Sequence, residues 1–205
     1  MRKSARGFTL IEMLVVIAII CILSAMLFPV WETVMKQAEG ASCLSQLRSI
    51  GFAAKMYAAD FDGRLVPARV SGAPPGYLGI GWGRILAEYM RNRELLICPT
   101  DPAPTVATGT WGVKRSYGIN YELCMVGGYN NSSLTLAAVE SETETILFME
   151  TDSTQRCLGM AYPLHGLSRI AARHNDRCNF TFCDGHAKLM TPRETVKPTN
   201  LWDLQ

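Results

Sequence analysis

Residues 8–28 read FTLIEMLVVIAIICILSAMLF, 21 residues with a single charge, Glu12. As a helix rising ~1.5 Å per residue, this run reaches ~30 Å, the thickness of a bilayer's hydrocarbon core. Arg2, Lys3 and Arg6 precede it with no acidic residue among them. The positive-inside bias therefore predicts a cytoplasmic N-terminus and an extracytoplasmic remainder. Much of the 48% hydrophobic content sits in this run, and the rest of the chain has the composition of an ordinary soluble head.

Three common kinds of N-terminal segment fit poorly. A cleaved secretory signal has an uncharged core and a small-x-small site behind it; here Glu12 interrupts the core and Leu23-Ser24-Ala25 is a poor site. A lipoprotein signal needs a small residue before the cysteine, and Ile20 precedes Cys21. A plain signal anchor leaves Glu12 unexplained, since an intramembrane carboxylate costs roughly 2.5–3.5 kcal/mol on insertion scales.

The stretch Gly7-Phe8-Thr9-Leu10-Ile11-Glu12, behind a basic leader, resembles the processing site of prepilins, with glutamate as the fifth residue after the glycine. Pro29 is the 22nd residue counted from Phe8, where many pilins also carry proline. The resemblance implies cleavage between Gly7 and Phe8 by a prepilin peptidase, N-methylation of Phe8, and packing of the apolar helices in a filament core. In such a bundle Glu12 needs a cation, and the free amine of a neighbour's Phe8 supplies one. The insertion penalty then becomes a register device, relieved only by the correctly staggered neighbour.

Beyond Pro29 the helical period persists through residue 59, with Leu44, Leu47, Ile50, Ala54 and Tyr57 on one face. The expected element is one helix from about 8 to 59, weakened and kinked at Pro29, with further weak points at Gly40 and Gly51. Its second half should pack on a sheet. Asp60-Phe61-Asp62-Gly63 reads as a turn rather than a calcium loop, because a 12-residue frame lacks its closing acid. Residues 67–83 read as loop and 84–96 as a short amphipathic helix. Strands are predicted near 116–123 and 145–150, and a three-strand meander at 169–173, 178–183 and 186–191. Its turns are Asn175-Asp176 and Asp184-Gly185. Residues 192–205 have no predicted place. The fold class is α+β and pilin-like: leader 1–7, membrane helix 8–28 continuing to about 59, and head 60–205.

His174 lies ten residues before Asp184-Gly185. With Cys43–Leu47–Arg48, Tyr57–Asp60–Asp62–Gly63, Cys98-Pro99 and Ser116–Asn120, this resembles the H-x9-D-G group of prepilin-type, processing-associated proteins. That resemblance covers nearly the whole chain and says little about biochemical role.

His174, Cys178, Cys183 and His186 are residue types that zinc accepts. A five-residue strand would hold the two halves of that set ~17 Å apart, far beyond a shared ion. The same distance separates His174 from Asp184 as an acid–base pair, and His174 reads as a turn-capping or core-edge residue. Glu140, Glu142, Glu144, Glu150 and Asp152 read as a solvated acidic face, with a calcium site as the alternative. Trp82, Trp111, Tyr77, Tyr117, Tyr121 and Tyr129 read as core or loop packing. Seven cysteines, six of them beyond the apolar run, predict at least one disulfide outside the cytoplasm, with Cys178 and Cys183 not paired to each other.

No catalytic residue, cofactor or metal is expected, and no nucleotide or nucleophile motif is present. The 20 basic and 18 acidic residues give no case for nucleic acid as main partner. The expected function is a structural subunit, a pseudopilin or minor pilin of a type II secretion or type IV pilus-like machine. Its partners would be prepilin peptidase, other pilin subunits and the assembly platform, and its place the inner membrane. The alternative is a membrane-anchored module whose head binds a secreted substrate, glycan or DNA.

Overall fold

The computed structural model describes residues 8–70, 80–102, 104–106, 114–124, 133–151, 160–161, 170–196 and 201–202. Helix α1, Leu10–Asp60, continues through Pro29, whose missing N–H leaves the Ala25 carbonyl without its helical donor. Residues 1–38 and 39–205 form two compact units. In the first, the apolar side chains from Phe8 to Met35 are exposed, and an 18-residue window reaches a mean hydropathy of 2.9. This helix is long and apolar enough to cross a membrane.

In the second unit, Leu47, Ile50, Ala54 and Tyr57 of α1 are buried, as the helical period predicts, and Leu44 is half-buried. They face a sheet of order β7-β5-β6-β8-β9. Four of its strands are antiparallel neighbours: β5 (Tyr117–Asn120), β6 (Ile146–Glu150), β8 (Cys178–Phe182) and β9 (Ala187–Met190). β7 (Met160–Ala161) adds to the β5 edge in parallel. Two small ribbons lie outside it: β1 (Arg69–Val70) with β2 (Ile80–Gly81), and β3 (Thr105–Val106) with β4 (Lys114–Arg115).

Strand β8 is buried along its length because both faces are covered. Cys178, Phe180 and Phe182 pack in a cluster with Ile146, Met149, Met190 and Trp202, while Asn179 and Thr181 point to α1. Trp202 brings the C-terminal segment to the sheet: its ring stands edge-on to Phe180 and its Nε1 donates to Thr195 Oγ1 at 2.9 Å. Residues 192–205, which had no predicted place, thus contribute to the second face through Pro192–Thr195 and Trp202.

Several predicted elements are corrected. The first strand of the meander is absent among the described residues. The partner of β8 on that side is β6, and Ile170 makes only an isolated bridge to Thr151. The Asn175-Asp176 turn forms, with φ of 52° and 60°, but β8 already has β6 on one edge and β9 on the other, so the segment before the turn pairs only at His174–Arg177. The Asp184-Gly185 connection is four residues long, Cys183 to His186, with Gly185 at φ 92°. The helix over 84–96 divides into α2 (Trp82–Leu86) and a 3-10 turn (Arg93–Leu96), because the Asn92 side chain caps Glu94 N and starts a new helix. The strand over 116–123 ends at Asn120, whose Oδ1 accepts from Glu122 N and opens helix α3 (Tyr121–Cys124). The loop over 67–83 contains β1 and β2, and residues 71–79 lie outside the described residues. Asp62 and Gly63 adopt positive φ, as a turn requires.

Candidate functional site

The start of α1 is a reciprocal cap. Thr9 N donates to Glu12 Oε2 at 2.8 Å, Thr9 Oγ1 donates to the same oxygen at 2.6 Å, and Glu12 N donates back to Thr9 Oγ1 at 3.3 Å. The signal for it is the Thr-x-x-Glu spacing of a capping box, which the charge of the carboxylate overshadows. Within one chain, Glu12 therefore satisfies the helix's own first donors. The Gly7 side of the processing junction lies outside the described residues, and Phe8 is exposed.

The second constellation is buried in the head, where α1 passes over β6 and β8. Gly40 and Gly51 are eleven residues apart, three helical turns and ~16.5 Å along one face. His174 and Gly185, also eleven apart, bracket β8, whose five residues cover ~17 Å. The two spans match, so helix and strand meet at both ends. A Cβ on Gly40 would lie 3.2 Å from His174 Nδ1, and one on Gly51 would lie 2.6 Å from Thr181 Cγ2 and 3.0 Å from Gly185 O. The glycines are thus contact points against the sheet, and α1 is unbroken at both. Between them, Thr181 Oγ1 donates to Leu47 O at 3.1 Å.

His174 sits at the upper contact. Its Nε2 lies 2.9 Å from Glu150 Oε1, and both side chains are buried. Glu150 also accepts from Asn179 N at 3.0 Å and Asn179 Nδ2 at 3.1 Å. The solvated-face reading therefore fails for Glu150, which is fully buried at the centre of a hydrogen-bonded network. Glu142 pairs with Lys55 at 3.4 Å, and Asp152 lies outside the described residues. Beside the His174–Glu150 pair is a disulfide between Cys43 of α1 and Cys98, with a Cα–Cα distance of 5.3 Å. Cys98 Sγ is 3.9 Å from His174 Nε2 and 3.8 Å from Glu150 Oε1. One sulfur from each cysteine, the imidazole and the carboxylate all lie within 4.8 Å of one another.

His174 is thus a core residue, and the cysteines it meets are Cys43 and Cys98. Cys178, the first residue of β8, and Cys183, just past its end, are buried and not disulfide-bonded. Cys157 lies outside the described residues. Burial pushes the Cys178 thiol well above its ordinary range, and burial, assisted by Glu142 and Asp184, pushes Cys183 up to about 12. At the other end of β8, His186 stacks on Phe182 and its Nδ1 lies 2.6 Å from Asp184 Oδ1. His174 and Asp184 have separate partners, so the motif's two polar ends do not form one site. Trp82 is buried against Phe148 and Tyr117 donates to Gln46 Oε1 at 2.6 Å, so both are packing residues; Tyr121 is half-buried. Trp111, Tyr77 and Tyr129 lie outside the described residues.

An apolar N-terminal helix that continues onto an α+β head defines a membrane-anchored, pilin-like subunit. Residues 2–28 match the family model for the prokaryotic N-terminal methylation motif, so the N-terminal segment is of the prepilin type. No solved structure matches the chain.

Proposed function

We propose that the protein is a structural pseudopilin or minor pilin, processed between Gly7 and Phe8 and assembled through its apolar helix into a type II secretion or type IV pilus-like filament. The observation that carries this reading is the methylation motif over residues 2–28, laid on an apolar helix whose side chains are exposed in the single chain. A surface so apolar needs lipid before assembly and neighbouring helices afterwards. Glu12 then serves twice, capping its own helix through Thr9 and meeting the Phe8 amine of a neighbour. Pro29 relaxes the helix as it leaves the bilayer. The basic residues Arg2, Lys3 and Arg6 support a cytoplasmic N-terminus, an extracytoplasmic head and a place in the inner membrane. Prepilin peptidase and an inner-membrane platform would be its partners, and His174, Asp184 and Gly185 support membership of the H-x9-D-G group. This role asks for no catalysis by the chain.

N-terminal peptide mass spectrometry on membranes from cells with an active prepilin peptidase tests the reading. The expected product begins at N-methyl-Phe8, with residues 1–7 removed. An intact Met1, or cleavage beyond Ala25, would return the segment to a signal anchor or a secretory signal.

A further inference from the structure

We propose that Cys43, Cys98, His174 and Glu150 form a zinc site in the dithiol state of the head, and that the disulfide and the metal are alternative cross-links between the same two segments. The donors are two soft sulfurs, one imidazole and one carboxylate, a set suited to four-coordinate Zn²⁺. With zinc–ligand bonds of roughly 2.0–2.3 Å, ligand atoms in a tetrahedron stand about 3.3–3.8 Å apart. Cys98 Sγ already lies 3.9 Å from His174 Nε2 and 3.8 Å from Glu150 Oε1, and the last two are 2.9 Å apart. The His174 and Glu150 atoms must open slightly to reach that spacing, and the two bonded sulfurs must separate. Reduction breaks their bond and lets the sulfurs part by side-chain rotation.

The surroundings hold these ligands as an outer shell must. Asn179 fixes both oxygens of Glu150 through its N and Nδ2. Gly40 lets the helix backbone pass against the His174 ring and keeps Nε2 turned towards the sulfurs. All four ligand residues are buried, so the site is shielded from competing water. It differs from the set His174, Cys178, Cys183 and His186, whose halves β8 holds apart.

Every cysteine is translated as a thiol, so loading needs no oxidant or reductant. Zn²⁺ takes two thiolates, the neutral imidazole and the carboxylate, and the two thiol protons go to water. To return from the disulfide, a dithiol reductant must donate two electrons and two protons and leave as its own disulfide.

The test uses the full chain in detergent, in two forms: oxidised, and reduced anaerobically with a water-soluble phosphine that is then removed. Each is titrated with Co²⁺ and then with Zn²⁺. The reduced chain should bind one Co²⁺ with a thiolate-to-metal charge-transfer band, and one equivalent of Zn²⁺ should displace it. The oxidised chain should show no such band, although Cys21, Cys124, Cys178 and Cys183 remain available as thiols. This contrast, made on one sequence, does not depend on a variant folding. Among reduced variants, Cys178→Ser should keep the band, Cys43→Ser with Cys98→Ser should abolish it, and His174→Gln should weaken binding at least about tenfold. No thiolate band in the reduced chain, an equal band in the oxidised chain, or an undiminished band in the double variant would overturn the proposal.

Discussion

Glu12 and Gly51 show how much one atom decides at each end of α1. Because Glu12 caps Thr9, removing its carboxylate has two effects that substitutions can separate. Glu12→Gln keeps a side chain able to complete the capping box but loses the charge, whereas Glu12→Ala loses both. Neither should impair membrane insertion, since a costly group is gone. If the charge pairs with a neighbour's amine, both variants should be processed yet missing from sheared or co-purified filaments. Recovery of Glu12→Gln in filaments would mean that the cap is what assembly needs. At Gly51, alanine is favoured in a helix by ~1 kcal/mol, but its Cβ would lie 2.6 Å from Thr181 Cγ2 and 3.0 Å from the Gly185 carbonyl. Overpacking of this kind costs about 1–3 kcal/mol, so Gly51→Ala should lower the melting temperature of the head. Adding Thr181→Ser removes the clashing methyl, keeps the hydroxyl that bonds Leu47 O, and should recover part of the loss. A melting temperature raised by Gly51→Ala would refute the close contact.

At the scale of elements, what the sequence made legible was what periodicity and turn chemistry govern. The apolar run, the buried stripe from Leu47 to Tyr57, and the turns at Asp62-Gly63, Asn175-Asp176 and Asp184-Gly185 are local signals. The neighbour of β8 was not legible, because pairing with β6 is a long-range choice made by packing and by the Glu150–Asn179 bonds. Glu150 sits in a stretch of acidic residues, and its burial depends on His174, 24 residues away. Cys43 and Cys98 were visible as motif residues, but their meeting required α1 to lie on the sheet. Buried thiols at the ends of these elements also set an alkaline limit. Cys183 titrates at about 12 in the fold against 9.0 for an unperturbed thiol, and burial likewise raises Cys124 and Tyr117. A raised folded pKa leaves stability intact below the unfolded value and removes it as pH climbs through the folded one. Unfolding free energy should thus be flat towards pH 9 and then fall, with Cys183 contributing about 1.4 kcal/mol per pH unit until about 12. Denaturant melts of wild type and Cys183→Ala between pH 8 and roughly pH 11 should show a shallower alkaline fall in the variant; parallel slopes would refute it.

For the whole molecule, the Cys43–Cys98 bond sits where α1 begins to be buried: residues up to Ala38 are exposed, Glu39 and Gly40 are half-buried, and the buried stripe lies at and beyond Cys43. A subunit held by its N-terminal helix is pulled along that helix whenever the head meets resistance. Without a cross-link, such tension would peel α1 from β8 one turn at a time, starting at Gly40. With Cys43 tied covalently to Cys98, the pull passes into the body of the head at the first buried turn. The contacts from Leu47 to Tyr57 then lie beyond the tie and carry little of the load. The bond acts as a strain relief, like the clamp that keeps tension on a cable from reaching its solder joints.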